Sequence, residues 1–303
     1  MTPLHELTIG KATLGGPLGS NTGLLVGSIF YDKHSIVFDA FAGDFDAGRA
    51  GVLVERVNRL AERYGVQMAI DVIAASPEAM GRYLEFVSAR TSLPMMINAT
   101  AAEVRIAGLA AASSLGVLDC CIFASLNADT GLDELAALKR HRPAAVMVLA
   151  SDASDPTPAG SCAMVESYFH PMLKEIGVAV PIVDLGAMDP PSLGLAIRGI
   201  AAVRERFGYP AGCAFGNCFP QWTGLKELGR EWVDLSLAAA LVACRAAGGD
   251  FLHYGLIEKA PAAAHAAGSA EVFYGFAAQE LDGHPLPAGH ALRKMFKLSV
   301  PRS

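Results

Sequence analysis

The stretch that decides the fold is Leu24-Leu25-Val26-Gly27-Ser28-Ile29-Phe30-Tyr31, an apolar run interrupted only by Gly-Ser and closed by two aromatic residues. A short run of this kind is typical of a β-strand that is covered on both faces. Taken alone, it fits many α/β proteins. The segments that follow it along the chain decide among them.

Seven further short apolar runs follow, and longer segments with helical spacing of apolar residues separate them. The predicted strands are 24–30, 67–72, 94–98, 119–123, 144–150, 180–184, 213–216 and 250–254. The predicted helices are 46–64, one that starts at Ser76, 101–115, 132–140, 164–176, 193–207, 231–247 and 262–278. A hairpin is predicted over 6–14, before the first strand.

Eight strands, each followed by a helix, predict an α/β protein built as a (β/α)8 TIM barrel with a short N-terminal β-hairpin. A doubly wound open sheet is the competing architecture. Such a sheet normally has a glycine-rich dinucleotide turn after its first strand, and none is present here. Two helix ends are well marked: Ser76-Pro77-Glu78 is typical of a helix start, and Gly65 is typical of a helix end.

Composition narrows the class of protein. The chain has 303 residues, of which 52% are hydrophobic and 18% are charged, which is typical of a globular protein. A net charge of -6 argues against a nucleic-acid groove. The sequence predicts no membrane span and no signal peptide. We therefore expect a single barrel domain over residues 1–303, in the cytoplasm.

The six cysteines form no Cys-x-x-Cys pair and lie mostly in apolar segments. We expect them to be buried free thiols in a reducing compartment. Cys213 and Cys218 flank a predicted strand end, but no histidine cluster accompanies them, so no metal site is predicted.

Polar residues close several of the predicted strands. A barrel carries its chemistry at the carboxyl ends of its strands, so these side chains are candidates for a substrate site on one rim. They are Asp71, Asn98, Asn127, Asp184 and Asn217. Singly, each could merely cap a helix or build a turn. Together, amides and carboxylates suit a neutral heterocycle that presents an amidine-like N–H pair, as a pterin ring does.

Runs of residues along almost the whole chain resemble the family of the H subunit of tetrahydromethanopterin S-methyltransferase, which includes the methylcorrinoid:tetrahydrofolate methyltransferases of glycine betaine catabolism. The opening run, with His34 and Phe45-Asp46, is one of them. The others are Ile70-Asp71-Val72, Ser76-Pro77-Glu78-Ala79, Asn98-Ala99-Thr100, Pro181-Ile182-Val183-Asp184, Gly208-Tyr209-Pro210-Ala211-Gly212-Cys213-Ala214, Gly248-Gly249-Asp250-Phe251 and His284-Pro285-Leu286.

This resemblance implies a barrel of the pterin-binding type and a methyltransferase that moves a methyl group between a corrinoid (cobalamin) and N5 of a reduced pterin such as tetrahydrofolate. By the same resemblance, Asp184 would bind the amino-pyrimidine edge of the pterin and Asn217 would approach N5. The chain lacks an Asp-x-His-x-x-Gly cobalamin motif. The corrinoid is therefore expected on a partner protein that docks on the barrel rim, and the chain itself is expected to be a homodimer.

Two positions depart from the family pattern. The third strand usually ends in Asp, where this chain has Asn98, and the fourth usually reads Asn-Ser-x-Asn, where this chain has Ala124-Ser125-Leu126-Asn127. Loss of a hydrogen-bond partner costs a buried polar group roughly 1–3 kcal/mol. Two alternatives therefore stay open: a barrel of this family with a changed substrate, and a non-catalytic, ligand-binding component of a methyltransferase complex.

Overall fold

The computed structural model describes residues 2–296 and contains a closed barrel of eight parallel strands. In ring order the barrel strands are β3 (Leu24–Ile29), β6 (Gln67–Ile73), β7 (Met95–Asn98), β8 (Cys121–Leu126), β9 (Ala145–Leu149), β10 (Ile182–Asp184), β11 (Ala211–Cys213) and β12 (Phe251–Leu256). The last strand pairs with the first, with Phe251 opposite Leu24, so the ring closes without a free edge. The predicted (β/α)8 barrel is confirmed.

Helices surround the barrel and separate its strands. They are α1 (Ala47–Tyr64), α2 (Pro77–Ser88), α3 (Ala102–Leu115), α4 (Leu132–His141), α5 (Pro158–Met164), α6 (His170–Ile176), α7 (Pro190–Phe207), α8 (Thr223–Leu228), α9 (Arg230–Ala246), α10 (Ala260–Asp282) and α11 (Ala291–Met295). The Ser76 hydroxyl accepts the Ala79 N–H at the start of α2, and Gly65 adopts the left-handed conformation after α1. Both predicted helix ends are confirmed.

The predicted N-terminal hairpin is also confirmed, as β1 (Glu6–Ile9) and β2 (Ala12–Gly15), and it lies against the amino-terminal end of the barrel. Ile9 and Leu14 pack into the same buried cluster as Leu24 and Phe251, which begin two barrel strands. The Gln67 side chain accepts the Thr13 N–H at 2.6 Å and donates to the Thr13 carbonyl at 2.8 Å. The hairpin therefore closes this end of the barrel.

Some predicted boundaries are wrong. The sequence pattern predicts the seventh strand over 213–216, but β11 ends at Cys213 and the chain turns into a 3-10 helix at Phe215–Asn217. A Cβ at Gly212 would lie 1.7 Å from the Phe251 carbonyl oxygen, so this position of the strand requires a glycine. In a sequence, a glycine indicates a turn more often than the interior of a strand. The fourth strand is predicted over 119–123, but β8 begins later and extends through Ala124 to Leu126.

Other elements differ from the sequence prediction or are absent from it. The helix predicted over 164–176 starts at Pro158, with Thr157 as its N-cap, and passes through one π-helical turn. A small antiparallel hairpin, β4 (Val37–Asp39) and β5 (Asp44–Phe45), follows the first barrel strand. Within residues 2–296, no helix combines the length and apolar character that crossing a membrane requires.

A buried cluster of ion pairs joins the segment that follows the N-terminal hairpin to the outer helices α7, α9 and α10. Arg245 on α9 donates to Glu271 on α10 at 2.6 Å and to the Asn21 carbonyl at 2.6 Å. Arg204 on α7 pairs with Asp250 and donates to the Gly16 carbonyl at 2.7 Å. All four charged side chains are at least 90% buried. Removing one member would therefore leave a buried charge without its partner.

We expect Arg245→Leu to lower the free energy of unfolding by about 3–5 kcal/mol, because Glu271 would remain buried without its guanidinium partner. The matched control is Arg59→Leu, which removes an arginine from the exposed pair with Glu55 and should cost less than about 1 kcal/mol. Urea unfolding followed by circular dichroism measures both. Equal losses for the two variants would contradict the structural role of the cluster.

Candidate functional site

Seven of the eight barrel strands contribute one or two residues to the lining of a cavity at the carboxyl end of the barrel. The cavity has a volume of about 240 Å³. Its walls include the apolar side chains of Met96, Met147, Leu149 and Phe251. This volume lies just below the roughly 300–1,000 Å³ of sites for drug-sized ligands, so it suits one ring system rather than a whole cofactor.

Four of the five predicted site residues line this cavity: Asp71, Asn98, Asp184 and Asn217. Asn127 lies beyond the cavity lining, in the loop after β8. Its Oδ1 accepts the Asp129 N–H at 2.8 Å, and its own backbone N–H donates to the Thr130 hydroxyl at 2.9 Å. Asn127 thus builds a turn of its own loop, which is the other role that a strand-end asparagine can have.

Asp71, at the end of β6, is the centre of a hydrogen-bonded group on the cavity floor. Its Oδ2 accepts from the Ser28 hydroxyl at 2.7 Å, from His253 Nε2 at 3.0 Å and from Asn98 Nδ2 at 3.2 Å. Its Oδ1 is also buried and has no hydrogen-bond partner among the described residues. A buried carboxylate oxygen without a donor is costly, so this atom is available to an N–H or O–H group of a ligand.

The sequence prediction missed Ser28 and His253, which are both more than 90% buried and line the cavity. The signal was present in the alternation of the strands. Leu24 and Val26 belong to the interior cluster, and Ser28 continues their spacing; Phe251 and His253 have the same relation. A polar residue that continues the inward-facing spacing of a barrel strand is therefore a better site signal than a polar residue at the strand end alone.

Asp184, at the end of β10, is the second carboxylate of the cavity and is 8% exposed. Burial raises the pKa of its carboxyl group, although the Gly186 N–H, which donates to Oδ1 at 2.9 Å, opposes that rise. Among the described residues that line the cavity there is no lysine or arginine. The cavity therefore favours ligand groups that donate hydrogen bonds, or carry positive charge, over phosphates.

Asn217 lies at the cavity mouth, at the end of the 3-10 helix that follows β11, and is exposed. Its backbone N–H donates to the Ala214 carbonyl at 3.3 Å, which holds the turn. Its side-chain amide makes no hydrogen bond within the described part of the chain, so the amide is free to donate or accept at the mouth.

The two departures from the family pattern both lie in the cavity wall. Asn98 donates its amide to Asp71; an aspartate here would instead place a second negative charge about one hydrogen bond away from that carboxylate. Ala124, opposite Asn98 in the sheet, offers no hydrogen bond to a ligand.

Comparison with known proteins connects this chain to a family. The model of the family described as the tetrahydromethanopterin S-methyltransferase MtrH subunit matches residues 5–285. The H subunit of this enzyme from Methanothermobacter thermautotrophicus is 32% identical to the chain, covering 92% of the chain and 94% of the relative. The H subunit from Methanothermobacter marburgensis is 33% identical, covering 91% and 92%.

Solved structures agree on the fold. Dihydropteroate synthase from Xanthomonas albilineans superposes with a TM-score of 0.59 at 15% identity, covering 89% of this chain and 98% of that one. The Thermus thermophilus enzyme gives 0.59 at 18% identity, covering 90% and 100%. At such identities the likeness concerns the barrel architecture alone.

The burial of the Asp184 carboxyl group leads to a prediction about the stability of the protein. Because its pKa is raised in the folded state, this group contributes stability below its ordinary pKa of 3.8 and loses it as the pH rises through the folded value. Asp184→Asn cannot ionise. It should therefore exceed the wild type in free energy of unfolding at pH 7, and the difference should disappear well below pH 3.8, where the carboxyl group is protonated in the folded and the unfolded protein alike.

Urea unfolding at pH 7 and at about pH 2.5 measures this effect, because the carboxyl group is protonated in both states at the lower pH. The control is Asp189→Asn, at the exposed N-cap of α7, where hydrogen bonds from Ser192 lower the pKa of the carboxyl group. It should show no gain in stability at pH 7. If Asp184→Asn were the less stable protein at pH 7, the desolvation argument would be wrong.

Proposed function

Because the chain belongs to the tetrahydromethanopterin S-methyltransferase MtrH subunit family, we propose that it transfers a methyl group between N5 of a reduced pterin and a corrinoid held by a separate protein. The family is one of methyltransferases. The choice of pterin, the corrinoid and the residue roles below are our proposals.

One observation carries the pterin part of the proposal. The cavity holds the carboxylates of Asp71 and Asp184 without a lysine or arginine, and Asp71 Oδ1 has no partner among the described residues. The amino-pyrimidine half of a pterin supplies several N–H donors in one plane. A carboxylate accepts two of these at once, so the ring satisfies acceptors that are otherwise buried without donors.

Within this proposal, Asp184 accepts hydrogen bonds from the amino-pyrimidine edge, and Asn217 contacts N5 at the cavity mouth. When the methyl group leaves N5, the electron pair of the broken N–C bond stays on that nitrogen. The Asn217 amide can donate a hydrogen bond to it, directly or through one water, and so stabilise the charge that changes during transfer. Asp71 and Asn98 hold the ring from the opposite side of the cavity.

The corrinoid would supply the metal-bound site that gives or receives the methyl group. Large apolar side chains are exposed on segments that follow the strands at this rim: Phe38, Phe41, Met188 and Trp222. Exposed apolar groups beside a cavity are typical of a protein interface and support docking of the corrinoid protein there. The contribution of the barrel would then be to hold the pterin in line with the incoming group.

Tetrahydromethanopterin appears in the names of the matched relatives, and tetrahydrofolate is the other candidate. Ala124, which removes one hydrogen-bonding side chain from the cavity wall, is the observation that favours a changed substrate as the second candidate function. A single domain over the full chain, a homodimer and a cytoplasmic location stay predictions.

The direct test is incubation of the protein with methylcobalamin and either tetrahydrofolate or tetrahydromethanopterin, while the corrinoid spectrum is followed. We expect loss of the methylcobalamin spectrum with one of the two pterins, because N5 accepts the methyl group. Omission of the pterin is the control. Pterin binding without any spectral change would support the non-catalytic alternative instead.

Two alanine variants separate binding from catalysis. Asp184→Ala should weaken pterin binding by about 2 kcal/mol or more, because its hydrogen bonds are charge-assisted and act equally in the ground and transition states. Asn217→Ala should mainly lower the rate of transfer, because the charge at N5 changes during the reaction. Calorimetric titration with the pterin and methyl-transfer rates measure the two effects. Unchanged affinity in Asp184→Ala would favour a changed substrate.

A further inference from the structure

The two oxygens of the Asp71 carboxylate have unequal surroundings, and two side chains outside the predicted site create this inequality. Ser28 and His253 both donate to Oδ2, where Asn98 adds a third hydrogen bond, while Oδ1 receives none from the described residues. Three donors saturate Oδ2 and fix the orientation of the carboxyl group. The other oxygen keeps its full capacity to accept from a ligand.

The backbone around His253 decides which of its ring nitrogens carries the proton. The pairing of β12 with β3 shifts register between His253 and Gly255, and Gly255 has a positive φ of 90°, a conformation that favours glycine. This irregularity brings the Gly255 N–H to His253 Nδ1, at 3.2 Å. Nδ1 is therefore an acceptor without a proton, and the neutral ring carries its hydrogen on Nε2.

Ser28 is held in the matching position by the sheet itself. It lies directly opposite Asp71 in the pairing of β3 with β6. Its hydroxyl is 2.7 Å from Asp71 Oδ2 and 3.2 Å from His253 Nε2. The three side chains thus form one contact group, with Asp71 as the shared acceptor.

Serine, histidine and aspartate together suggest a hydrolytic triad, but this geometry does not form one. A triad requires the serine on one ring nitrogen and the carboxylate on the other. Here the same nitrogen, Nε2, faces both Ser28 and Asp71, while Gly255 occupies Nδ1. The serine hydroxyl donates to the carboxylate, so the histidine cannot activate it as a nucleophile.

The charges around His253 are all negative. Asp71 on β6 and Asp184 on β10 are the titratable groups that face it across the cavity, and the lining contains no lysine or arginine. Among the described residues, Asp71 is therefore held by hydrogen bonds alone, and their loss would change the orientation of its carboxyl group.

We propose that His253 and Ser28 are positioning residues that hold Asp71 through Oδ2, so that Oδ1 accepts a hydrogen bond from an N–H group of the bound ring. The proposal rests on the proposed function for the identity of that ring. Both residues act on the ligand through Asp71, which adds two side chains to the four predicted residues that line the cavity.

Binding measurements with tetrahydrofolate and tetrahydromethanopterin as probes test the proposal. His253→Leu should raise the dissociation constant about tenfold or more, because Asp71 loses a charge-assisted hydrogen bond. His253→Gln places an amide N–H near the position of Nε2 and should restore most of the affinity. The matched control is His290→Gln, a histidine equally buried outside the cavity lining, which should bind as the wild type does.

A double-mutant cycle distinguishes positioning from a general structural effect. If His253 acts through Asp71, then His253→Leu should change the affinity far less in an Asp71→Asn background than in the wild type. Additive losses would overturn the proposal. So would wild-type affinity in His253→Leu alone, and either result would leave the proposed function standing.

Nitrogen NMR of histidine-labelled protein tests the geometry independently of any ligand. We expect His253 to show a protonated Nε2 and an unprotonated Nδ1 at neutral pH, in the wild type and in Asn217→Ala. The opposite tautomer would overturn the proposal. If neither pterin bound the wild type, the proposed function would fail. The tautomer of His253, compared between the wild type and Asp71→Asn, would then decide whether His253 positions Asp71.

Discussion

The structure depends on the closure of the parallel sheet, in which β12 hydrogen-bonds to β3. Since side chains alternate along a strand, closure sends every second residue into an interior that helices cannot cover. Nearest the N-terminal hairpin these residues are apolar, as with Leu24, Met96 and Phe251. Toward the carboxyl ends of several strands they become polar, as with Ser28, Asp71, Asn98 and His253, and buried polar groups must pair with one another or with a ligand.

Buried polar groups are paired differently at the two ends of the barrel. At the end closed by the hairpin, Arg204 and Arg245 face Asp250 and Glu271, so buried cations and anions are matched within the protein. At the open end, Asp71 and Asp184 share a cavity that no lysine or arginine of residues 2–296 lines. One end thus contributes stability. The other retains acceptors that a ligand must satisfy, which is the division of labour typical of barrel enzymes.

Asn98 shows how one side chain of the cavity supports another. The sequence resemblance leads to the expectation of an aspartate at this position, whereas the Asn98 amide donates to Asp71 Oδ2 at 3.2 Å. An ionised aspartate could not donate this hydrogen bond, so the amide supplies Asp71 with a donor that a carboxylate would lack.

The sequence by itself determined the barrel, the hairpin and most strand-end candidates, because apolar periodicity and helix caps are local signals. It also identified Asp71, Asn98, Asp184 and Asn217 as residues that would meet. It failed at the short seventh strand, where the need for Gly212 arises from the Phe251 carbonyl on the next strand. Strand alternation could have marked Ser28 and His253, but only the tertiary structure joined them to Asp71, which lies far from His253 in the chain. The tertiary structure alone decided the tautomer of His253. A backbone N–H reaches Nδ1 because the pairing of β12 with β3 is irregular at this point, and the sequence carries no signal for that irregularity.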